Sequence, residues 1–233
     1  MCLILLAWHA QREHPLILAA NRDEFFARAT EPAAPWPESP AVIGGRDLEK
    51  GGSWLAVSAS GRLAAVTNFR DGARRRDGQR SRGLLVSDFV LSELDPNSFL
   101  ANVRARRDVY DGFNLLVAAD GNLIHYSNVS DEMTAIAPGI HGVSNHLLDT
   151  PWPKVERGKQ ALERLLDGAR DTLVAGLFDA LADTHSPRDE ELPTTGVSLE
   201  WERALGSAFI RAPGYSTPGR SGTNLTWSMR RSV

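Results

Sequence analysis

The sequence predicts an α+β fold with antiparallel sheets, and three observations carry that prediction. Apolar runs of strand length come in pairs joined by short polar turns, which is how hairpins read. Helical periodicity is confined to separate blocks, with none of the strand–helix–strand alternation of a βαβ nucleotide fold. With 233 residues, 42% of them hydrophobic, the chain can bury a full-sized core without covalent staples, and we read it as one domain, 1–233.

The elements follow in order. Leu3 to Trp8 is a continuous apolar run, His9 to His14 a polar turn, and Pro15 to Ala20 a second run ending in Asn21-Arg22-Asp23-Glu24. Runs apolar on both faces belong to buried strands. Residues 30–42 hold Pro32, Pro35, Pro37 and Pro40 and are expected to form an extended surface loop. Ser53 to Ser58 and Arg62 to Phe69 flank Ala59-Ser60-Gly61 as a second hairpin. Ser81 is expected to cap a helix through Leu84, Leu85, Phe89 and Leu91, and Asp95-Pro96 to open another toward Arg107. Phe113 to Val117 and Leu123 to Tyr126 flank the hairpin signal Asp120-Gly121, with Ala118, Ala119 and Asn122 open to either strand or turn. From Pro153 the period becomes helical. Val155, Leu162, Leu165 and Leu166 share a face, with Lys154, Glu156, Lys159, Glu163 and Arg164 elsewhere, and Leu173, Val174, Leu177, Phe178 and Leu181 mark a further helix. A polar loop at 185–196, a short helix around Trp201 and a closing strand from Thr223 to Met229 complete the chain.

Composition excludes several functions. Twenty-six Lys+Arg against 29 Asp+Glu leave a net charge of −3, so no global basic field points to nucleic acid. The opening apolar run, Met1 to Trp8, is far short of the roughly 20 residues that span a bilayer. It lacks the basic flank and cleavage site of a secretory signal, so a cytoplasmic location is expected. No phosphate loop, dinucleotide fingerprint, zincin motif or serine elbow is present, and the histidines show no convincing metal spacing. One cysteine makes neither an intrachain disulfide nor a Cys-rich zinc site. It stands at position 2.

That position bears on chemistry. A thiol of pKa about 8.5 is mostly protonated at neutral pH. A cysteine at the free end of a chain carries its own base, because an α-amine of pKa roughly 7.7–8.0 is partly neutral there. With Met1 removed, Cys2 would supply nucleophile and base from one residue; retained inside the chain, it reads as a small buried hydrophobe. A working site also needs a cation near the sulfur, a carboxylate to orient the amine, and donors for an oxyanion. If Cys2 opens the first strand and Asn21-Arg22-Asp23-Glu24 ends its antiparallel neighbour, the two lie about 5 Å apart across the ladder. Asn68, ending another strand, and Asn145, after His141-Gly142-Val143-Ser144, are candidate oxyanion donors; each also suits an asparagine bonding its own turn. The arginine-rich stretch from Arg70 to Arg82 is either a solvated loop or a trap for a phosphate, carboxylate or propionate.

Met1-Cys2-Leu3-Ile4-Leu5, Ala20-Asn21-Arg22-Asp23-Glu24-Phe25, Gly51-Gly52-Ser53-Trp54 and Gly61 to Arg70 occur in order with Ser81-Arg82-Gly83, Phe113-Asn114-Leu115-Leu116, Gly142-Val143-Ser144-Asn145, Leu192 to Val197 and Glu202-Arg203. In that order, across nearly the whole chain, they resemble the NRDE family, also called the transport and Golgi organization family. The resemblance implies an N-terminal nucleophile (Ntn) hydrolase fold, a four-layer αββα sandwich of two antiparallel sheets. It implies kinship with cysteine amidases that cleave bile-salt and penicillin amides. By that analogy Cys2 is the nucleophile, Asn68 and Asn145 match oxyanion and substrate-orienting asparagines, and Arg220 matches a C-terminal arginine.

In those cousins an Arg and an Asp stand three residues apart, whereas here Arg22 and Asp23 are consecutive. Consecutive side chains of a regular strand face opposite ways, so both reach Cys2 only at a bulge or where the strand ends. An ungapped alignment instead puts Asn21 and Glu24 at the two positions. The expected function is a cysteine amidohydrolase-like activity on a small amide or thioester, with no metal and no required cofactor. The family's association with haem trafficking and acyl-CoA or lipid metabolites implies the alternative, a non-catalytic carrier whose Arg70, Arg82 or Arg220 neutralises the ligand. Without a haem-attachment spacing, any haem would be held reversibly.

Overall fold

The computed structural model describes residues 2–72, 80–217 and 225–229, so Met1, residues 73–79 and Arg220 lie outside the described residues. Along the chain the elements are β1 (Cys2–Trp8), β2 (Leu16–Arg22), β3 (Glu24–Phe25), β4 (Thr30–Trp36), β5 (Ser39–Asp47), β6 (Leu55–Ser58) and β7 (Leu63–Asn68). Helices α1 (Gly83–Leu91) and α2 (Pro96–Arg104) come next, then β8 (Phe113–Ala119), β9 (Asn122–Ser127), β10 (Glu132–Ala135) and β11 (Gly139–Val143). Helices α3 (Pro153–Leu165), α4 (Arg170–Leu181) and α5 (Leu199–Ala204) precede the short β12 (Arg211–Ala212), β13 (Tyr215–Ser216) and β14 (Leu225–Met229). They form two compact units, one of Met1–Phe26, Asp71–Ala73 and Ala137–Val233, the other of Ala27–Arg70 and Arg74–Ile136.

The first unit is built on a four-stranded antiparallel sheet in the order β11-β1-β2-β14. Leu3, Leu5 and Ala7 of β1 and Ile17 and Ala19 of β2 pack with Val155 and Leu162 of α3 and with Leu173, Leu177 and Leu181 of α4. Each such fully buried leucine contributes about 1.5–3 kcal/mol relative to exposure. Ile4, Leu6 and Trp8 are buried too, so the unbroken apolar run of β1 is withdrawn from water on both faces. Gly158 lets α3 approach closely, since a Cβ there would stand 2.7 Å from the Leu5 side chain. A small sheet in the order β12-β13-β3 continues from the end of β2. His141 is engaged within the fold: Nδ1 is 2.7 Å from Asp149 Oδ2 and Nε2 is 2.9 Å from the Ala137 carbonyl. The Asp149 bond raises its pKa.

The helical pattern sets Lys154 off the apolar face, and here the structure differs. Lys154 is buried, its Nζ donating to the Leu205 carbonyl at 3.0 Å. A long methylene stem packs like an aliphatic chain while its ammonium finds a carbonyl.

The second unit is a seven-stranded antiparallel sheet in the order β10-β9-β8-β7-β6-β5-β4. Helix α1 packs on β6 and β7 and α2 on β8 and β9. Asp95 caps α2 by accepting from the N–H groups of Asn97 and Ser98. The cap of α1 falls one residue after Ser81, at Arg82, with no side-chain capping bond. Asp120 and Gly121 both have positive φ, 52° and 74°, so a two-residue turn suffices and β8 and β9 extend through Ala119 and Asn122.

The proline-rich segment is not a loop but the hairpin β4–β5 at the sheet's edge. Proline has no N–H to give a ladder, and an edge strand leaves one side unpaired; the register shifts between Glu31 and Ala34 and between Pro35 and Trp36. Gly52 explains the paired glycines before Ser53. Its φ is +80°, and a Cβ there would lie 2.3 Å from the Gly83 carbonyl carbon. Gly52→Ala therefore combines left-handed strain with overpacking and is expected to destabilise by about 2–4 kcal/mol, read from urea unfolding midpoints. A change within 0.5 kcal/mol, roughly the surface-substitution range, would contradict the close approach.

Candidate active site

Cys2 heads β1, and Arg22, the last residue of β2, is its direct cross-strand partner. Directly opposed residues share a face, so guanidinium and thiol project to the same side. On the other flank, Ile4 pairs with Val143, the last residue of β11, and the chain runs on through Ser144 to Asn145. Ser144 ties that stretch to Cys2. Its Oγ donates to the Cys2 carbonyl at 2.8 Å and lies 3.2 Å from Asn145 Oδ1. Cys2, Arg22, Asp23, Ser144 and Asn145 are all buried.

Asp23 falls between β2 and β3, so the alternation of faces lapses there. The consecutive Arg-Asp is thus accommodated by the strand ending. The Asp23 backbone N–H bonds toward the Cys2 sulfur, and the charges of both Asp23 and Arg22 act on the thiol. The Asp23 carboxyl accepts from the Thr217 hydroxyl, and its backbone carbonyl accepts from Tyr215 OH at 2.9 Å. Thr217 is itself fixed to Ile210, whose N–H donates to Thr217 Oγ1 at 2.9 Å and whose carbonyl accepts from the Thr217 N–H at 3.1 Å.

Burial pushes the Cys2 thiol above its ordinary pKa and the Asp23 charge adds to this, while Arg22 and the Asp23 N–H pull it down. Burial likewise raises the Asp23 carboxyl, against the attraction of the Lys154 ammonium and the Thr217 hydroxyl. The sulfur is therefore a protonated thiol at neutral pH, and attack by it requires a base.

The other residues singled out by sequence are placed as follows. Asn21 lies one residue before Arg22 on the strand and spans to backbone: its Nδ2 donates to the carbonyls of Leu181 and Ala208 at 2.7 and 2.8 Å. Glu24 pairs with Arg22 at 3.2 Å and accepts from the Phe25 N–H. Asn68 ends β7 opposite Phe113, Arg70 is buried, and Arg82 donates to the Gly112 carbonyl at 3.2 Å; these three belong to the second unit. The structure thus gathers Cys2, Arg22, Asp23, Glu24 and Asn145 in the first unit.

Ser144, Lys154, Tyr215 and Thr217 join the site without having been assigned to it from sequence. The one available signal was a buried Asp after an apolar strand, which needs donors from somewhere. Glu202, in the matched Glu202-Arg203 pair, accepts from the Thr195 N–H at 2.8 Å and from its hydroxyl, which anchors the Leu192–Val197 loop. Among the described residues no group of three His, Cys, Asp or Glu is placed to hold a metal, and no helix is long and apolar enough to cross a membrane.

Two antiparallel sheets, each with a helix pair, and a cysteine heading an interior strand belong to the Ntn-hydrolase fold class. A solved N-acylethanolamine-hydrolyzing acid amidase ortholog from Caenorhabditis elegans superposes with a TM-score of 0.52, covering 76% of this chain and 85% of that one at 10% identity, a likeness of fold alone. The family model for Transport and Golgi organisation 2 matches residues 1–232, and the chain belongs to that family. It is 38% identical to the Transport and Golgi organization protein 2 homolog of Bos taurus, over 93% of this chain and 86% of the relative. The Homo sapiens homolog is 35% identical over the same shares, and the Drosophila melanogaster protein 34% over 90% and 82%.

Proposed function

We propose that the chain is a cysteine Ntn-type hydrolase of a small amide or thioester, with Cys2 as nucleophile. The observation that supports this best is the convergence of Arg22, the Asp23 amide and carboxyl and, through Ser144, Asn145 on the head of β1. In this reading loss of Met1 frees the Cys2 α-amine. The sulfur attacks the substrate carbonyl carbon while the amine takes the thiol proton. The C–N or C–S bond then breaks as that proton passes to the leaving amine or thiol. Water cleaves the resulting Cys2 thioester, releasing the acid and restoring the thiol.

Arg22 stabilises the developing thiolate, and Asp23, held by Thr217 and Lys154, orients the α-ammonium. Asn145 donates to the oxyanion. A like role for Asn68 rests on the family resemblance alone. The reaction class matches the one named for the nematode structural neighbour, N-acylethanolamine hydrolysis. The carrier alternative rests on the family resemblance.

The test is turnover of a panel of small amides and thioesters by the full chain, with its N-terminal mass determined. The reading expects turnover with Cys2 as first residue and complete loss in Cys2→Ala. Saturable haem or acyl-CoA binding by a Cys2-first chain without any turnover supports the carrier instead.

A further inference from the structure

We propose that Phe25 and Trp201 form an apolar platform for the substrate's uncharged portion, so that the substrate is an amide or thioester bearing a neutral alkyl or aryl group. This deepens the nucleophile reading and rests on it. Phe25 is 55% exposed and Trp201 39%, yet both pack edge-on against one buried ring: Phe25 lies 4.9 Å from Tyr215 and Trp201 5.9 Å, centroid to centroid. Two exposed rings seated on a shared buried one make a patch rather than scattered surface hydrophobes, and such patches mark binding sites.

The platform lies close along the chain to the reactive sulfur. Phe25 is three residues past Arg22, the cross-strand partner of Cys2, a span of roughly 10 Å of extended chain. Tyr215, under the two rings, donates its hydroxyl to the Asp23 carbonyl at 2.9 Å and feels the Asp23 charge. That hydroxyl is committed and offers the ligand no donor. Two nearby arginines are already engaged: Arg22 pairs with Glu24 at 3.2 Å, and Arg203, on the helix that carries Trp201, pairs with Asp189 at 2.6 Å. Two exposed rings beside arginines so engaged suit a hydrocarbon or aryl group better than a phosphate or carboxylate.

The experiment compares alkylation of Cys2 in the full chain by iodoacetamide and by N-benzyl-iodoacetamide, each rate being divided by that with free cysteine and read from intact mass. The corrected benzyl rate is expected to be about tenfold higher and to saturate with concentration, roughly the effect of burying part of one aromatic group. In Phe25→Ala and Trp201→Ala the ratio falls toward one. Brisk alkylation by both probes with a wild-type ratio of one overturns the platform and spares the nucleophile. Failure of Cys2 to react with either probe overturns both.

Discussion

Asn145→Ala is expected to lower kcat by roughly 10²–10³-fold, the usual cost of losing one oxyanion donor. Asn145 is fully buried, follows Ser144 beyond the end of β11, and is steadied by that residue, which is itself tied to the Cys2 carbonyl. A donor so fixed needs no reorganisation as charge develops on the substrate oxygen. The loss should therefore fall on kcat more than on KM, as for an interaction made in the transition state. Steady-state kinetics on whichever panel substrate the wild type hydrolyses decide it. A variant within threefold of wild type removes Asn145 from the oxyanion site.

Lys154→Met is expected to cost about 1–3 kcal/mol of stability, because it removes one of the charges that attract the buried Asp23 carboxyl and leaves the buried Leu205 carbonyl without its donor. The methionine fills most of the lysine stem's volume, so the loss is electrostatic rather than a cavity. Its pH dependence has a definite sign. Burial already holds the Asp23 pKa above its ordinary value, and removing Lys154 raises it further. The folded variant then binds more protons than the unfolded chain between the two pKa values, so its stability falls as pH rises through that window. Urea unfolding at pH 5 and pH 8 should show the larger deficit at pH 8. An equal deficit at both would mean that Lys154 serves the fold through Leu205 alone.

Much of the fold was legible because its signals are local. The apolar runs of β1 and β2, the Asp120-Gly121 turn and the Asp95-Pro96 helix start each depend on a few neighbouring residues. The β4–β5 hairpin was not legible, because four prolines read as a loop unless the strand is known to be an edge. Nor was the burial of Lys154, which depends on a carboxylate 131 positions earlier in the chain. Within the site, Cys2, Arg22, Asp23 and Asn145 could be singled out because reactive groups at strand ends are conspicuous. Tyr215 and Thr217 are ordinary residues in a turn-rich stretch, and only the pairing of β13 with β3 brings them to Asp23. Because β2 ends at Arg22, the consecutive Arg22 and Asp23 are not held to opposite faces, a point that residue spacing alone left open.

The central claim is that Cys2 is the nucleophile, and an acyl-enzyme tests it most directly. The full chain, incubated with the fastest thioester or amide of the panel and quenched in acid, is digested and its N-terminal peptide weighed. The account predicts a peptide beginning at Cys2 and heavier by one acyl group, labile to hydroxylamine and absent in Cys2→Ala. An N-terminal peptide that still begins with Met1 while turnover proceeds, or turnover undiminished in Cys2→Ala, would contradict it.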